Sequence, residues 1–219
     1  MLDPKLLADV DLFRSLSPEA LEQVVVAAAA LVLRRGDVIF AEGDDADELY
    51  FVETGRIAIA NRSPDGRESV VALMEGGDLF GDMALFDGGG RSAGARALEP
   101  STVHAIPFAA LRSVLDDDPT LLWDVVELLS RRLRSMDNAL ADAVFLDVTG
   151  RTAKRLLELA GDADEFQLPV TQEELAGLVG ASRERVNKAL ASFIKLGWVE
   201  QRERRYRITD RDQLSRRAR

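Results

Sequence analysis

Residues 171–190, TQEELAGLVGASRERVNKAL, read as two short amphipathic helices around a tight turn. A proline at 169 precedes a Thr171-x-x-Glu174 capping box, a pattern that satisfies the free backbone donors opening a helix. Gly180-Ala181-Ser182 supplies the break, and Ser182 is placed to cap the second helix. In that second helix Val186, Leu190 and Phe193 recur at i, i+4 and i+7 and share a buried face, which turns Arg183, Glu184, Asn187 and Lys188 outward. Those outward groups match what base edges offer in the DNA major groove: Arg or Lys donates to guanine O6 and N7, and Glu accepts from the cytosine amino group. An ordinary helical hairpin with a solvated charged face fits the same pattern, so the context of the segment has to separate the two.

A second group of residues with binding chemistry is Phe80–Ala97, FGDMALFDGGGRSAGARA. Gly88-Gly89-Gly90 are expected to bring backbone donors close to an anion, with Arg91 as a fixed positive charge and Ser92 as a hydroxyl. A plain hairpin loop is the competing reading of a glycine run beside one arginine. Near the C-terminus, Trp198–Ile208 reads as a short hairpin wing whose Arg202, Arg204, Arg205 and Arg207 surround Tyr206; contacts to phosphate would position the domain without specifying sequence. The tail Arg216-Arg217-Ala218-Arg219 adds either further phosphate affinity or a disordered end.

Charge supplies part of the missing context. The formal net charge is −10, which taken alone argues against a polyanionic partner. Its distribution reverses that argument: residues 1–149 hold 13 Lys and Arg against 27 Asp and Glu, whereas residues 150–219 hold 15 against 11. The region expected to approach phosphate carries the positive charge, and an acidic remainder disfavours loose nonspecific binding.

The elements that must position these groups follow from texture. Ser17-Pro18-Glu19 opens a helix with a cap and a proline at its first position, expected to run into the apolar stretch Val24–Leu33. Short β-rich segments come next, Val38–Phe40, Leu49–Val52, Ile57–Ala60, Val70–Leu73 and Val103–Ile106, separated by glycine-bearing turns; this spacing predicts a small antiparallel barrel or roll. A helix without a breaker is then expected from about Pro119 to Phe145, with Leu122, Val126, Leu129, Leu133, Met136, Leu140 and Ala143 forming a heptad seam. The small roll cannot cover that seam alone, which points to a parallel dimer. Leu146–Gly150 interrupts the helix, with Thr149-Gly150 as the expected hinge. The chain has no cysteine, excluding disulfides, thiolate zinc sites, iron–sulfur clusters and a Cys nucleophile. Its one histidine, His104, lies on an alternating strand and reads as a satisfied structural group, leaving no pair of ligands for haem or a metal cage. The longest apolar run, ten residues, is too short to cross a bilayer, and a cytoplasmic location with no membrane partner is expected.

The order of roll, Gly81-Asp82…Arg91-Ser92-Ala93 cassette, seam helix, Asp147-Val148-Thr149-Gly150-Arg151 and helix-turn-helix resembles the CRP/FNR family of bacterial transcription regulators over essentially the whole chain. The Val-Gly-Ala-Ser-Arg-Glu turn and the Arg-Arg-Ala-Arg end are similar to the cyclic AMP receptor proteins of actinobacteria. The resemblance implies an α+β chain: a cyclic-nucleotide-binding β-roll over residues 1–118, a dimerisation helix over 119–146 and a winged helix-turn-helix over 147–219. It implies a regulator and not an enzyme, a homodimer, RNA polymerase as a further partner, and double-stranded DNA carrying a palindrome of TGTGA-like half-sites. By resemblance Arg91 and Ser92 hold phosphate, the Gly81 and Ala93 amides assist, and Asp82 stands where the family usually has a Glu for the ribose 2′-hydroxyl. The DNA-contacting set implied is Thr171, Ser182, Arg183, Glu184, Asn187, Lys188, Arg204 and Arg205.

One departure concerns the base of the nucleotide. Family members that bind cyclic AMP have Thr-Ser or Thr-Asn where this chain has Met136 and Asp137. Met136 can pack on a purine face without exchanging hydrogen bonds. Asp137 as a carboxylate only accepts, which suits the two donors of guanine better than the adenine edge; as a solvated helix residue it would contact no base. Cyclic AMP is therefore the effector by resemblance, with cyclic GMP or cyclic di-GMP, or DNA binding without any nucleotide, as alternatives; a nucleotide-binding module acting on a protein partner is a third. In the first case ligand between roll and seam helix would act through the hinge to reset the spacing of two recognition helices, which must meet the groove about 34 Å apart.

Overall fold

The computed structural model describes residues 2–8, 10–62, 68–203 and 205–219. It divides into two compact units, residues 1–67 with 71–133, and residues 68–70 with 134–219.

The first unit opens with α1 (Pro4–Ala8) and α2 (Pro18–Ala27). Ser17 starts α2 as expected, its hydroxyl accepting from the Ala20 N–H at 3.2 Å. The helix stops at Ala27, and the rest of the apolar run is strand β1 (Ala29–Leu33). This corrects the expectation of a helix continuing through that stretch. No Gly or Pro marks the switch; it is set by the antiparallel ladder that pairs Ala29–Leu33 with Ala105–Ser101 of a strand some 70 residues away.

Strands β2 (Val38–Phe40), β3 (Glu48–Thr54), β4 (Arg56–Arg62), β5 (Glu68–Glu75), β6 (Leu79–Phe80), β7 (Gly94–Ala97) and β8 (Ser101–Pro107) complete the roll, with the short helix α3 (Met83–Asp87) between β6 and β7. One sheet has the order β1-β8-β3-β6 and the other β2-β7-β4-β5. Period-two alternation on β3 explains how the layers are held together. Tyr50 and Val52 face the roll interior with Ile57, Phe80, Val103 and Ala105. Leu49 and Phe51 face the opposite way, into a core with Leu7, Phe13, Val24, Ile106 and Leu111 from the flanking helices. His104 on β8 is 2% exposed, with Nε2 at 2.8 Å from Glu53 Oε2, the satisfied structural group expected.

After α4 (Phe108–Asp117), a 3-10 turn at Pro119–Leu121 leads into the long helix α5 (Leu122–Phe145). Two stripes run along it. Leu121, Val125 and Leu128 join the core of the first unit. The heptad seam stays in solvent: Leu122, Val126, Leu129, Leu133, Met136 and Leu140 are 38–67% exposed.

The second unit holds α6 (Val148–Ala160), β9 (Glu165–Gln167), α7 (Gln172–Val179), α8 (Arg183–Lys195), β10 (Val199–Arg202), β11 (Arg205–Ile208) and α9 (Arg211–Arg217). The strands form a sheet of order β10-β11-β9, in which Tyr206 and Ile208 are buried and Arg205 and Arg207 are exposed. One expectation is corrected, and of the two alternatives for the tail the disordered one is removed. Gly150 is no free hinge residue: it lies buried in the first turn of α6, capped by the Asp147 side chain. The basic tail is ordered as α9, and Arg217 is ion-paired with Asp147.

Candidate ligand pocket and nucleic-acid interface

In the first unit, the residues singled out around the glycine run converge. Gly81 follows β6 with φ +78°, and a Cβ there would lie 2.8 Å from Arg91 Nη1 and 3.3 Å from the Tyr50 ring, so only glycine fits on both counts. Arg91 is 5% exposed. Its main chain is fixed by the turn at Gly43-Asp44, through the Arg91 N–H to the Asp44 carbonyl (2.9 Å) and the Gly43 N–H to the Arg91 carbonyl (2.8 Å). Its guanidinium lies 4.2 Å above the Phe40 ring centre, 5.4 Å from that of Tyr50 and 6.0 Å from that of Phe108, and Nη1 donates to the Gly81 carbonyl at 2.9 Å. The buried Nε has no acceptor. A buried guanidinium on aromatic faces with an unused donor is an incomplete ion pair, whose charge and donor are of the kind that suits a phosphate-class anion. Burial pushes the neighbouring Tyr50 phenol up to about 12, so it stays protonated.

Asp82 is 1% exposed and precedes α3 without capping it through its side chain. Its carboxylate is held by Arg132 of α5, whose Nη1 reaches the two oxygens at 2.8 and 2.9 Å while Nη2 donates to the Leu79 carbonyl at 3.2 Å. Sequence reading missed Arg132. The signal was present: Leu121, Val125 and Leu128 form a second apolar stripe at spacings of four and three, and the next position four residues on is Arg132. Ser92 is exposed, its hydroxyl 3.5 Å from Met83 Sδ, and Ala93 is buried. Of the two readings of the glycine run, anion cradle and plain loop, the loop fits the Gly88 and Gly89 amides, which are engaged within the chain. Gly88 is the left-handed C-cap of α3 with its N–H on the Ala84 carbonyl, and the Gly89 N–H is taken by Asp87 Oδ1 at 2.8 Å. Met136 and Asp137 lie in the second unit, both exposed on α5.

In that second unit, Thr171 and Glu174 form the full capping box, Glu174 N–H to Thr171 Oγ1 at 3.2 Å and Thr171 N–H to Glu174 Oε2 at 2.7 Å. Gly180 ends α7 in the left-handed region, φ 67°. Arg151 and Arg155 of α6 cap the same helix end, donating to the Val179 carbonyl at 2.9 Å and the Leu178 carbonyl at 3.2 Å. Ser182 occupies the N-cap position of α8 without a side-chain capping bond, which corrects the capping role expected of it. Val186, Ala189, Leu190 and Phe193 are buried, and Arg183, Glu184, Arg185 and Lys188 are exposed. Asn187 departs from the expected outward orientation: it lies 100° around the helix from Val186, is half-buried, and its Oδ1 is buried without a donor. A groove of about 360 Å³ opens between the start of α7, the start of α8 and the wing, lined among others by Thr171, Gln172, Arg183, Gln201 and Glu203. Arg205 stands exposed on the wing, and Arg204 lies outside the described residues.

Residues 30–118 match the cyclic nucleotide-binding domain family, and residues 150–217 match the Crp-like helix-turn-helix domain family. A Mycobacterium tuberculosis protein described as a CRP-like cAMP-activated global transcriptional regulator is 39% identical, over 98% of this chain and 99% of its own length. The chain belongs to the CRP/FNR family of transcription regulators. Among solved CRP/FNR structures, the c-di-GMP responsive global regulator CLP of Xanthomonas campestris is 26% identical, covering 88% of this chain and 99% of that one, with a TM-score of 0.76. The catabolite activator protein of Thermus thermophilus is 31% identical over 95% and 98% of the two chains, with a TM-score of 0.55. This CRP/FNR regulator therefore pairs a cyclic nucleotide-binding domain with a DNA-binding helix-turn-helix, and its matched relatives are regulators, not enzymes. Among the described residues, no group of three or more His, Asp or Glu side chains could hold a metal ion, and no helix is long and apolar enough to cross a membrane.

Proposed function

We propose that the chain acts as a homodimer, that cyclic AMP bound in the roll controls its affinity for DNA, and that paired α8 helices read a palindrome of TGTGA-like half-sites in the cytoplasm, where it works with RNA polymerase. The observation that carries the effector reading is Arg91, buried on three aromatic rings with a donor to spare, inside a domain of the cyclic nucleotide-binding family. Phosphate takes that donor, assisted by Ser92 and by the amides around Gly81 and Ala93, and the ribose is met by Asp82, whose carboxylate Arg132 already orients. The 39% identical relative is described as cAMP-activated, which favours cyclic AMP. The dimer rests on α5: an uncovered heptad seam along a helix whose one buried residue is Val125 calls for a second copy in parallel register. Arg183, Glu184 and Lys188 meet base edges, with Asn187 beside them; Thr171, Ser182, Arg204 and Arg205 meet the phosphate backbone.

A second reading follows from Met136 and Asp137. An exposed carboxylate at that register accepts from guanine N1–H and N2–H together, and the Xanthomonas relative is described as c-di-GMP responsive. Calorimetric titration with cyclic AMP, cyclic GMP and cyclic di-GMP separates the readings, and mobility shift on a TGTGA palindrome with each nucleotide ties binding to function. Tight cyclic AMP binding that raises DNA affinity supports the first reading; a response confined to a guanine nucleotide replaces it with the second. A shift indifferent to every nucleotide removes effector control.

A further inference from the structure

Helix α6 is joined to its surroundings in two different ways. Its first turn is fused to the C-terminal helix: Arg217 of α9 engages both oxygens of Asp147, the carboxylate that caps α6 through the Gly150 N–H at 2.8 Å. Gly150 leaves room for that contact, since a Cβ there would lie 3.1 Å from both Arg217 Nη1 and the Arg217 carbonyl. That contact ties the first turn of α6 to α9. On the other side, the Leu146 N–H still donates to the Asp142 carbonyl at 3.0 Å, which continues the ladder of α5. The helices are separated by Leu146 and Asp147, and at Asp147 the backbone is extended, with ψ 174°.

Two side-chain interactions cross that break. Arg151 Nη1 donates to the Leu146 carbonyl at 2.7 Å, and Lys154 Nζ on α6 lies 2.5 Å from Asp142 Oδ2 on α5. The Lys154–Asp142 pair joins the last turn of α5 to the middle of α6, five residues before and seven residues after Asp147, so it resists rotation about that residue. Motion of α6 is passed on, because Arg151 and Arg155 hold the end of α7 immediately before the turn into α8. We infer that Lys154 and Asp142 are positioning residues that latch α6 against α5 and so set how strongly effector binding is felt by the recognition helix. The coupling half of this inference rests on the effector reading above; the latch itself does not. With the two side chains 32% and 25% exposed, the latch is partly screened and weakens as ionic strength rises.

The test uses the full chain in four variants: K154M, D142N, the charge swap D142K/K154D, and K154R as a folded control that keeps the cation. Amide exchange at Leu146–Val148 reports the latch directly. It should quicken about two- to fivefold in K154M and D142N and return toward the parent rate in the swap and in K154R. The factor by which cyclic AMP changes DNA affinity should move toward one by a similar amount in the two single variants and recover in the swap. Unchanged linker exchange overturns the latch, and an unchanged affinity factor in a nucleotide-responsive parent overturns its positioning role. Faster linker exchange in a chain whose parent ignores cyclic AMP supports the latch and overturns the effector reading instead.

Discussion

The roll pocket and the recognition face use charge under opposite conditions. In the roll, Arg91 and Asp82 are 5% and 1% exposed, each already oriented by a protein partner, and the buried Nε of Arg91 has no acceptor. On α8 the charged groups stand in water on a helix whose other face fixes it to α6 and α7. Desolvation makes a buried charge selective and strong, whereas an exposed charge gains its worth only when the partner surface excludes water. A single substitution in the pocket should therefore remove a ligand, while a single substitution on α8 should grade a preference.

The largest expected effect reaches both regions at once. If the proposed dimer forms, L133D or L140D on the seam should convert it to a monomer in sedimentation, and DNA affinity should fall by about 100-fold or more as two linked half-site contacts become one. Next, R91Q should weaken cyclic nucleotide binding by roughly 10- to 150-fold in calorimetry, because it removes a charge-assisted contact from a dry site. Nucleotide-free DNA binding should survive that change; its loss would blur the separation of the two regions.

Smaller effects should grade the DNA face. R183A should cost about 1–3 kcal/mol of discrimination at one base position, whereas R205A should weaken all sequences nearly equally and lower the salt slope by about one. Equal effects of the two on specificity would dissolve the division between base readers and phosphate contacts. Smallest is a pH effect at Asp147. The Gly150 N–H, with Arg217 adding to it, holds its carboxyl below the ordinary 3.8. A folded value below the unfolded one means stabilisation that is present above about pH 4 and is lost as pH falls through the folded value. D147N, which keeps a capping oxygen, should flatten that acid limb of a thermal melting profile.

Legibility followed the range of the interactions. The capping box of α7, the glycine ending it, the buried stripe of α8 and the seam of α5 are written within one or two helical turns, and a periodicity argument reaches them. The end of α2 and start of β1 were illegible because Val24–Leu33 has one hydrophobic texture throughout, and only pairing with β8 makes half of it a strand. Arg132 was hidden for a related reason: its stripe marks a buried face, but the carboxylate it meets is 50 residues away. Asn187 misled because it sits at the flank of α8, where helical phase alone does not separate buried from exposed.

By itself the sequence determined the local elements other than the α2-to-β1 switch, the acidic and basic halves, the apolar seam and the residue types available for phosphate and for bases, because each depends on neighbours a few positions apart. Only tertiary structure decided that Arg91 would be buried with a free donor, that Arg132 would hold Asp82, and that Gly150 would be a seat for Arg217 and not a hinge. Those outcomes depend on which distant segments meet, and the free energy of burying or pairing a charge is defined only after they have met.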